Sequence, residues 1–311
     1  MDWNCYLKNT RPITLLETAR KLMTKIMTNR LANILHRHNI LKGNNYAGLP
    51  GGSCHMPIHI LESVINDAKS HNKPLFIFLQ DISKAFDSID THMLRLALIR
   101  LKIPHIFTEL VLNLFTNHSN QVITANRLSS PYKVQIVIDQ EEVISPLLWV
   151  IYIDSLLVAL NQCNSMPYQL QASTKRPESN ETSTLTAELS TLAFMDDTTL
   201  VSSSIIGLIQ MLNVANEFYY MNNTKINFLK ADLITNRDPS SPEEPLSSTS
   251  ASYTFNLTTD SFTIVPIAPK DSFRFLGVWF TLASSSAFVK AQCRTEYRLF
   301  VQQTSWQAAH C

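Results

Sequence analysis

The sequence predicts an α+β fold in which an antiparallel sheet packs on helices. Residues 75–79 form a continuous apolar run of strand length. Two short strand-like runs, 191–195 and 198–201, flank two adjacent aspartates, which is the pattern of a β-hairpin. Other segments repeat apolar residues at steps of three and four, which predicts helices. With 311 residues, 45% of them hydrophobic, the chain can bury a sizeable core, which excludes disorder as its main state.

The N-terminal region predicts two helices and a turn-rich loop before the first strand. Residues 15–35 should form a helix whose apolar stripe contains Leu15, Ala19, Leu22, Ile26, Leu31, Ile34 and Leu35. The loop at 43–53 holds four of the six glycines, and a second helix covers 58–69. Because the run at 75–79 is apolar at every position, we expect a strand buried on both faces.

The remainder alternates further helices with short strands. A long apolar helix should start with Ser145 as its N-cap and Pro146 at the first helical position. The other predicted elements are helices at 92–102, 106–115 and 205–221, strands at 121–125, 132–138 and 273–279, a polar surface insertion at 163–188, a flexible excursion at 238–252 and a C-terminal helix.

Charge is unevenly distributed along the chain. The formal net charge of +1 argues, as a total, against a nucleic-acid partner. Residues 1–42, however, hold eight basic and two acidic side chains, whereas residues 111–311 hold 12 basic and 17 acidic ones. This asymmetry favours a surface near the N-terminus that faces a polyanion, and the alternative is a solvated helix face that merely happens to be basic.

No targeting or membrane signal is visible in the sequence. The N-terminus lacks a basic segment followed by an apolar core, and the longest apolar stretch, 143–160, is interrupted by Pro146 and Asp154. Five scattered cysteines without a Cys-x-x-Cys pair argue against a disulfide framework or a structural zinc site. We therefore expect an intracellular protein of the nucleus and cytoplasm without membrane association, whose oligomeric state the sequence leaves open.

Three carboxylates stand where strands end or turn. Asp81 follows the first strand, and Asp196 and Asp197 lie at the tip of the predicted hairpin. If the strands are neighbours, the carboxylates converge, and such oxygen ligands suit Mg²⁺. Two such ions clamp the attacking and leaving oxygens of an in-line phosphoryl displacement, so this pattern predicts a two-metal nucleotidyl transferase. The alternative is an ordinary turn, because aspartate tolerates left-handed geometry and caps local donors.

Six segments, in this order, carry one resemblance. They are 10–16 as a first block of the fingers, 78–90 as motif A, 140–148 as motif B, 194–197 as motif C, 225–230 as motif D and 275–278 as a primer grip. In these segments the sequence resembles the reverse transcriptase domain of non-LTR (LINE-type) retrotransposons. The resemblance implies a right-hand polymerase fold with fingers at 1–74 and a palm at 75–235, which includes the insertion. Residues 236–311 would supply a flexible linker, the primer grip and a partial thumb.

The resemblance also implies an activity and its cofactor. The expected reaction is RNA-directed DNA synthesis, in which the 3′-hydroxyl of a DNA primer on an RNA template attacks the α-phosphate of a dNTP. Asp81, Asp196 and Asp197 would be the catalytic residues. Those three and the carbonyl of Ile82 would ligate two Mg²⁺ ions, for which Mn²⁺ can substitute.

Four further residues would contact the nucleotide by the same resemblance. Phe86 lies where the family has an aromatic gate against the ribose 2′-hydroxyl, and Gln140 would lie beside the incoming nucleotide. Lys230 is a candidate proton donor to pyrophosphate, and Arg11 is a candidate phosphate contact. The alternatives are core packing for Phe86, a surface lysine for Lys230 and a salt bridge within the fingers for Arg11.

The sequence departs from the family in motif B. Glu141 and Val137 stand where the family has glycines, and glycine allows the backbone to approach a ligand closely. A glutamate adds bulk and negative charge near a triphosphate, so we predict a strongly weakened polymerase. A second hypothesis stays open, namely a catalytically silent nucleic-acid-binding module. No endonuclease or RNase H segment is recognisable, which predicts a fragment of a longer element.

Overall fold

The computed structural model has the predicted α+β architecture, with an antiparallel sheet covered by helices. The structure describes the following residues: 14–80, 82, 89–116, 119–123, 127–133, 138, 141–163, 166–175, 182–222, 224, 226–238, 252–258, 261–283 and 294.

The elements follow one another in this order. The helices are α1 (Thr18–Arg37), α2 (His55–Ser70), α3 (Thr91–Arg100), α4 (His105–Phe115), α5 (Ser145–Gln162) and α6 (Ile205–Met221), with a 3₁₀ turn at Phe228–Lys230. The strands are β1 (Phe76–Gln80), β2 (Ser119–Asn120), β3 (Tyr132–Lys133), β4 (Tyr168–Lys175), β5 (Thr182–Leu189), β6 (Thr191–Phe194), β7 (Asp197–Ser202), β8 (Asp232–Thr235), β9 (Tyr253–Asn256), β10 (Ser261–Ile264), β11 (Phe273–Phe275) and β12 (Val278–Phe280).

The central sheet has four strands in the order β6-β7-β1-β8, and every neighbouring pair is antiparallel. Successive side chains of a strand point to opposite faces. Phe76 and Phe78 belong to the larger core, formed mainly by the helices other than α2, whereas Ile77 packs with α2 and β4 in a second core. All three are at most 1% exposed, which confirms that β1 is buried on both faces.

Helix α1 does not bury the stripe that its sequence predicts. Leu22 and Ile26 are 61% and 50% exposed, and the buried residues of the helix are Thr24, Leu31, Ala32 and Leu35. Of the predicted stripe only Leu31 and Leu35 are therefore buried, and Ile34 between them is 51% exposed. The prediction was wrong in this respect because helical spacing states which residues share a face, whereas neighbouring elements decide how much of that face is covered.

Helix α5 is the central helix of the larger core. By length and composition it could cross a membrane, but 67% of that stretch is buried within the structure, as in the core helix of a folded domain. Ser145 is not the N-cap. The helix begins at Ser145, the cap position is Ile144, and Ser145 is fully buried while its amide donates to the carbonyl of Glu142.

The segment predicted as a polar surface insertion contains a β-hairpin. Strands β4 and β5 pair from Tyr168 opposite Leu189 to Lys175 opposite Thr182. Tyr168, at the base of the hairpin, is 1% exposed, and its hydroxyl donates to Asp67 at 2.6 Å. Burial raises the pKa of Asp67, but the hydrogen bonds from Tyr168 and Lys73 outweigh it, so the net shift is downward. The buried side chain of Tyr168 and the buried carboxylate of Asp67 thus attach the β4–β5 hairpin to α2.

The other predicted strands differ in position or in length. The strand predicted at 121–125 does not coincide with β2, which ends at Asn120, and within the predicted run Ile123 forms an isolated bridge with Leu128. β3 covers two residues of the predicted run 132–138, and parts of both predicted runs lie outside the described residues. The segment at 273–279 forms the hairpin β11–β12, whose turn residues Leu276 and Gly277 both have positive φ. Ribbon β9–β10, which was not predicted, stacks Phe255 and Phe262 in the larger core. Most of the predicted excursion and the C-terminal helix lie outside the described residues.

Gly43 lies where the loop before α2 meets α5. A Cβ atom at this position would lie 2.5 Å from Cβ of Leu157, closer than two carbon atoms can pack. We expect Gly43→Ala to destabilise the fold by about 1–3 kcal/mol, the usual range for overpacking, measured by urea unfolding. Gly51→Ala is the comparison, because a Cβ there meets nothing within 4 Å and the substitution tests only the cost of a φ of +82°. An unchanged free energy of unfolding for Gly43→Ala would contradict the close contact.

Candidate active site

The candidate site lies at the end of the sheet where β1 ends. Because β7 and β8 both run antiparallel to β1, their first residues lie beside its last ones. Gln80 pairs with Thr198, and Leu79 pairs with Asp232. This arrangement brings the start of β7 and the residues just before β8 to one edge, although they are more than 30 residues apart in sequence.

The two adjacent aspartates occupy a tight hairpin, as predicted, but are shifted by one position. Phe194 pairs with Asp197, so the two-residue loop is Met195-Asp196 and Asp197 is the first residue of β7. Met195 has a φ of +56°, a conformation that costs a non-glycine residue about 1–2 kcal/mol. Its side chain packs against the larger core, which helps to offset this cost. Asp196 is half-buried and Asp197 is exposed.

Two other predicted site residues are near this end of the sheet. Ile82 is 5% exposed and forms an isolated antiparallel bridge with Ile226, six residues before β8. Lys230 is exposed at the end of the 3₁₀ turn, two residues before Asp232. The predicted residues Arg11, Asp81, Phe86 and Gln140, together with Val137, lie outside the described residues.

The structure adds a carboxylate that the sequence did not single out. Asp232 begins β8 and is opposite Leu79, next to the end of β1. Burial raises the pKa of Asp232. No motif marks this residue, and the only signal in the sequence would have been an acidic residue before the short apolar run of β8. Asp232 thus adds a polar group at the edge of the candidate site.

The segment before α5 contains a buried ion pair. Glu141 is exposed, whereas the side chain of Glu142 is completely buried and its Oε2 accepts a hydrogen bond from Arg20 Nε at 2.6 Å. Arg20 also donates to the carbonyl of Leu114 at 2.9 Å. Sequence reasoning missed Glu142 because its neighbour Glu141 stands at the family's glycine position. The pair joins α1 to the segment that carries Glu141.

The donor set at the hairpin suits a hard cation. Asp196 and Asp197 offer carboxylate oxygens, and both are accessible to solvent. Mg²⁺ binds through one or two carboxylates and keeps several waters, so a half-exposed edge with two adjacent carboxylates fits it. Among the described residues, no group of three or more His, Cys, Asp or Glu side chains is placed to hold a metal ion. The third predicted ligand carboxylate, Asp81, is outside those residues.

Comparison with known proteins identifies the family. Residues 4–280 match the model of the reverse transcriptase (RNA-dependent DNA polymerase) family. Among curated proteins no match is found. Similar solved structures include apo telomerase from Candida tropicalis, truncated from its C-terminal domain, at 12% identity over 79% of this chain and 45% of that chain, with a TM-score of 0.48. Telomerase from Candida albicans in complex with a fragment of telomeric RNA is 11% identical over 84% of this chain and 37% of that chain, with a TM-score of 0.47.

This chain spans less than half of the length of these telomerase chains. The family model, in contrast, covers most of the chain. Its match agrees with the antiparallel sheet on helices and with the hairpin that carries Asp196 and Asp197. The chain therefore has the right-hand polymerase fold and belongs to the reverse transcriptase (RNA-dependent DNA polymerase) family.

Proposed function

We propose that this chain is the reverse transcriptase domain of a non-LTR retrotransposon and catalyses RNA-directed DNA synthesis with two Mg²⁺ ions, or with Mn²⁺ in their place. One observation carries the proposal. The hairpin with Asp196 and Asp197 is antiparallel to β1, and Gln80, the residue bonded to Asp81, pairs with Thr198. Asp196 and Asp197 therefore lie beside the end of β1, the strand that Asp81 follows in sequence.

In this proposal Asp81, Asp196 and Asp197 hold the cations, together with the carbonyl of Ile82. When bound, two Mg²⁺ ions would neutralise the charge that develops as the primer 3′-hydroxyl displaces pyrophosphate. The half-buried position of Asp196 in a two-residue turn limits how far its carboxylate can move. Asp197, as the first residue of β7, is fixed by its pairing with Phe194.

The remaining residues would bind or orient the substrates. Phe86 and Gln140 would contact the incoming dNTP, and Arg11 its phosphates. Lys230 would donate a proton to the leaving pyrophosphate; its exposed side chain before β8 is consistent with this role. Exposed basic residues of α1, namely Lys25, Arg30 and Arg37, would contribute attraction for the RNA template or the DNA primer.

Primer extension tests the proposal. We expect the chain to incorporate dTTP on a poly(rA) template with an oligo(dT) primer when Mg²⁺ or Mn²⁺ is present, and to stop when EDTA is added. Filter binding or fluorescence anisotropy with the same template and primer measures nucleic-acid affinity separately. Binding without any incorporation under either cation would overturn the polymerase proposal.

That outcome would support the second candidate, a catalytically silent nucleic-acid-binding module. Glu141 favours this candidate, because it is exposed at a position where the family has glycine. Its charge and bulk would oppose a triphosphate approaching the segment before α5.

A substitution at Glu141 measures how strongly that residue weakens the enzyme. We expect Glu141→Gly to increase the rate of dNTP incorporation by about tenfold, because it removes one like charge and a side chain near the triphosphate. Glu141→Gln removes the charge but keeps the bulk, so it separates the two effects. Equal and robust incorporation by the parent chain and Glu141→Gly would show that Glu141 does not limit activity.

A further inference from the structure

Two buried polar side chains are paired where β1 ends and β7 starts. Gln80 lies directly opposite Thr198, and they are 5% and 1% exposed. Gln80 precedes Asp81 in the chain, and Thr198 follows Asp197. Because side chains alternate along a strand, Thr198 points to the face opposite that of Asp197. The pair is thus adjacent in sequence to the acidic residues of both strands.

Helix α6 holds this pair from the core side. The hydroxyl of Tyr219, which is 2% exposed, donates to Oε1 of Gln80 at 3.0 Å. Burial, and to a smaller extent the nearby Tyr152, raises the pKa of Tyr219, so its hydroxyl remains a donor at all physiological pH values. We call Gln80, Thr198 and Tyr219 the buried polar group. It connects the end of β1 to β7 on one side and to α6 on the other.

The buried polar group is incompletely satisfied. Within the part of the chain that the structure describes, neither Nε2 of Gln80 nor Oγ1 of Thr198 has a hydrogen-bond partner. Leaving a buried polar atom without a partner costs about 1–3 kcal/mol, and apolar residues of the same shape avoid that cost. Folding stability alone would thus favour methionine or leucine at position 80 and valine at position 198.

A polar pair has one advantage over an apolar pair at this position. A register slip of one residue would turn every side chain of β1 to the opposite face, and Gln80 would lose its bond from Tyr219. This bond couples the end of β1 to one point on α6. Because a hydrogen bond is directional, it restricts the position of Gln80 relative to the start of β7.

We propose that Gln80 and Tyr219 are positioning residues that hold the end of β1, the strand that Asp81 follows in sequence, against α6 and beside the start of β7. The inference rests on the proposed polymerase function and extends it to residues that touch neither substrate nor metal. These residues act through the end of β1 and the start of β7. Losing their hydrogen bond should therefore weaken metal binding and turnover by more than any accompanying loss of stability explains.

Two near-isosteric variants test this role, namely Gln80→Met and Tyr219→Phe. Residues that orient metal ligands typically contribute 10–100-fold to metal affinity or activity. We expect kcat to fall about tenfold with little change in KM for dTTP, and the Kd for Mn²⁺, measured by electron paramagnetic resonance on the protein alone, to rise about tenfold. Gln80→Met removes an amide nitrogen that has no partner among the described residues but leaves the buried Tyr219 hydroxyl without its acceptor, so we expect its free energy of unfolding to stay within about 1 kcal/mol of the parent value.

Two further variants complete the experiment. Thr198→Val removes a buried hydroxyl that has no partner among the described residues, so it should retain the Mn²⁺ affinity of the parent chain. Tyr253→Phe is matched to Tyr219→Phe, because it also removes a buried tyrosine hydroxyl, one that donates to the Arg237 carbonyl. Tyr253 is opposite Ile264 in the β9–β10 ribbon, so its variant should change stability but not metal affinity.

The outcomes separate this inference from the proposed function. Unchanged kcat and unchanged Mn²⁺ affinity in Gln80→Met and Tyr219→Phe would overturn the positioning role. The role would also be overturned if activity fell only in proportion to stability while the Kd for Mn²⁺ stayed unchanged, which is the result expected for Tyr253→Phe. If the parent chain incorporates no nucleotide, the polymerase proposal fails, and the Mn²⁺ titration alone decides the positioning role: equal Kd values then reject it and raised Kd values support it.

Discussion

Asp196→Asn is expected to reduce dNTP incorporation by about 10³-fold, because a cation ligand that stabilises the transition state contributes several kcal/mol. The side chain keeps its shape and loses only its charge. Asp196 is half-buried in the Met195-Asp196 loop, so the substitution should change the free energy of unfolding by no more than about 0.5 kcal/mol. The measurements are steady-state primer extension with Mg²⁺ and urea unfolding of the same preparation.

The matched control is Glu62→Gln, which also neutralises an acidic side chain. Glu62 lies on α2, and 59% of its side chain is exposed. We expect this variant to retain the parent rate. Incorporation by Asp196→Asn at more than about a tenth of the parent rate would rule out a direct role of Asp196 in holding the cation.

The largest loss of stability is expected for Asp154→Ala. The carboxylate is 2% exposed in α5, and its Oδ1 accepts hydrogen bonds from the amides of Lys42 at 2.9 Å and Gly43 at 2.7 Å. Its Oδ2 accepts from Arg100. Alanine would leave two backbone amides without an acceptor and break an ion pair. We expect the free energy of unfolding to fall by about 3–5 kcal/mol, measured by urea unfolding.

Asp154→Asn distinguishes the charge from the hydrogen bonds. The asparagine oxygen can still accept from the amides of Lys42 and Gly43, whereas the ion pair with Arg100 is lost. Arg100 is 37% exposed at its side chain, so water can solvate it in the variant. We therefore expect a smaller loss for asparagine, about 1–2 kcal/mol. A loss below about 1 kcal/mol for Asp154→Ala would contradict the anchoring role of this carboxylate.

The most local patterns of the sequence predicted the structure best. The apolar run at 75–79 and the paired runs around Asp196 became neighbouring strands of one sheet. Both patterns depend on the period of a strand and on turn chemistry, which act over a few residues. The one-residue shift of the hairpin loop reflects the pairing of Phe194 with Asp197, a contact between strands that the turn residues alone do not specify.

Contacts between distant segments were not predictable in this way. Nothing near Arg20 in the sequence indicates that it pairs with Glu142, which is 122 residues away. Asp154 looked like an interruption of an apolar stretch, and its partners lie in a loop and a helix more than 50 residues away. A buried charge needs partners, but the sequence does not say which elements will provide them.

The sequence by itself determined the six described helices, strand β1, the family resemblance and the acidic hairpin, because periodicity, turn residues and short motifs are encoded locally. The tertiary structure decided that Leu22 and Ile26 of α1 face solvent, that Glu142 rather than Glu141 is buried, and that Gln80 meets Thr198 and Tyr219. These outcomes depend on which surfaces meet, and burial and hydrogen bonding are properties of the assembled core and not of any one segment.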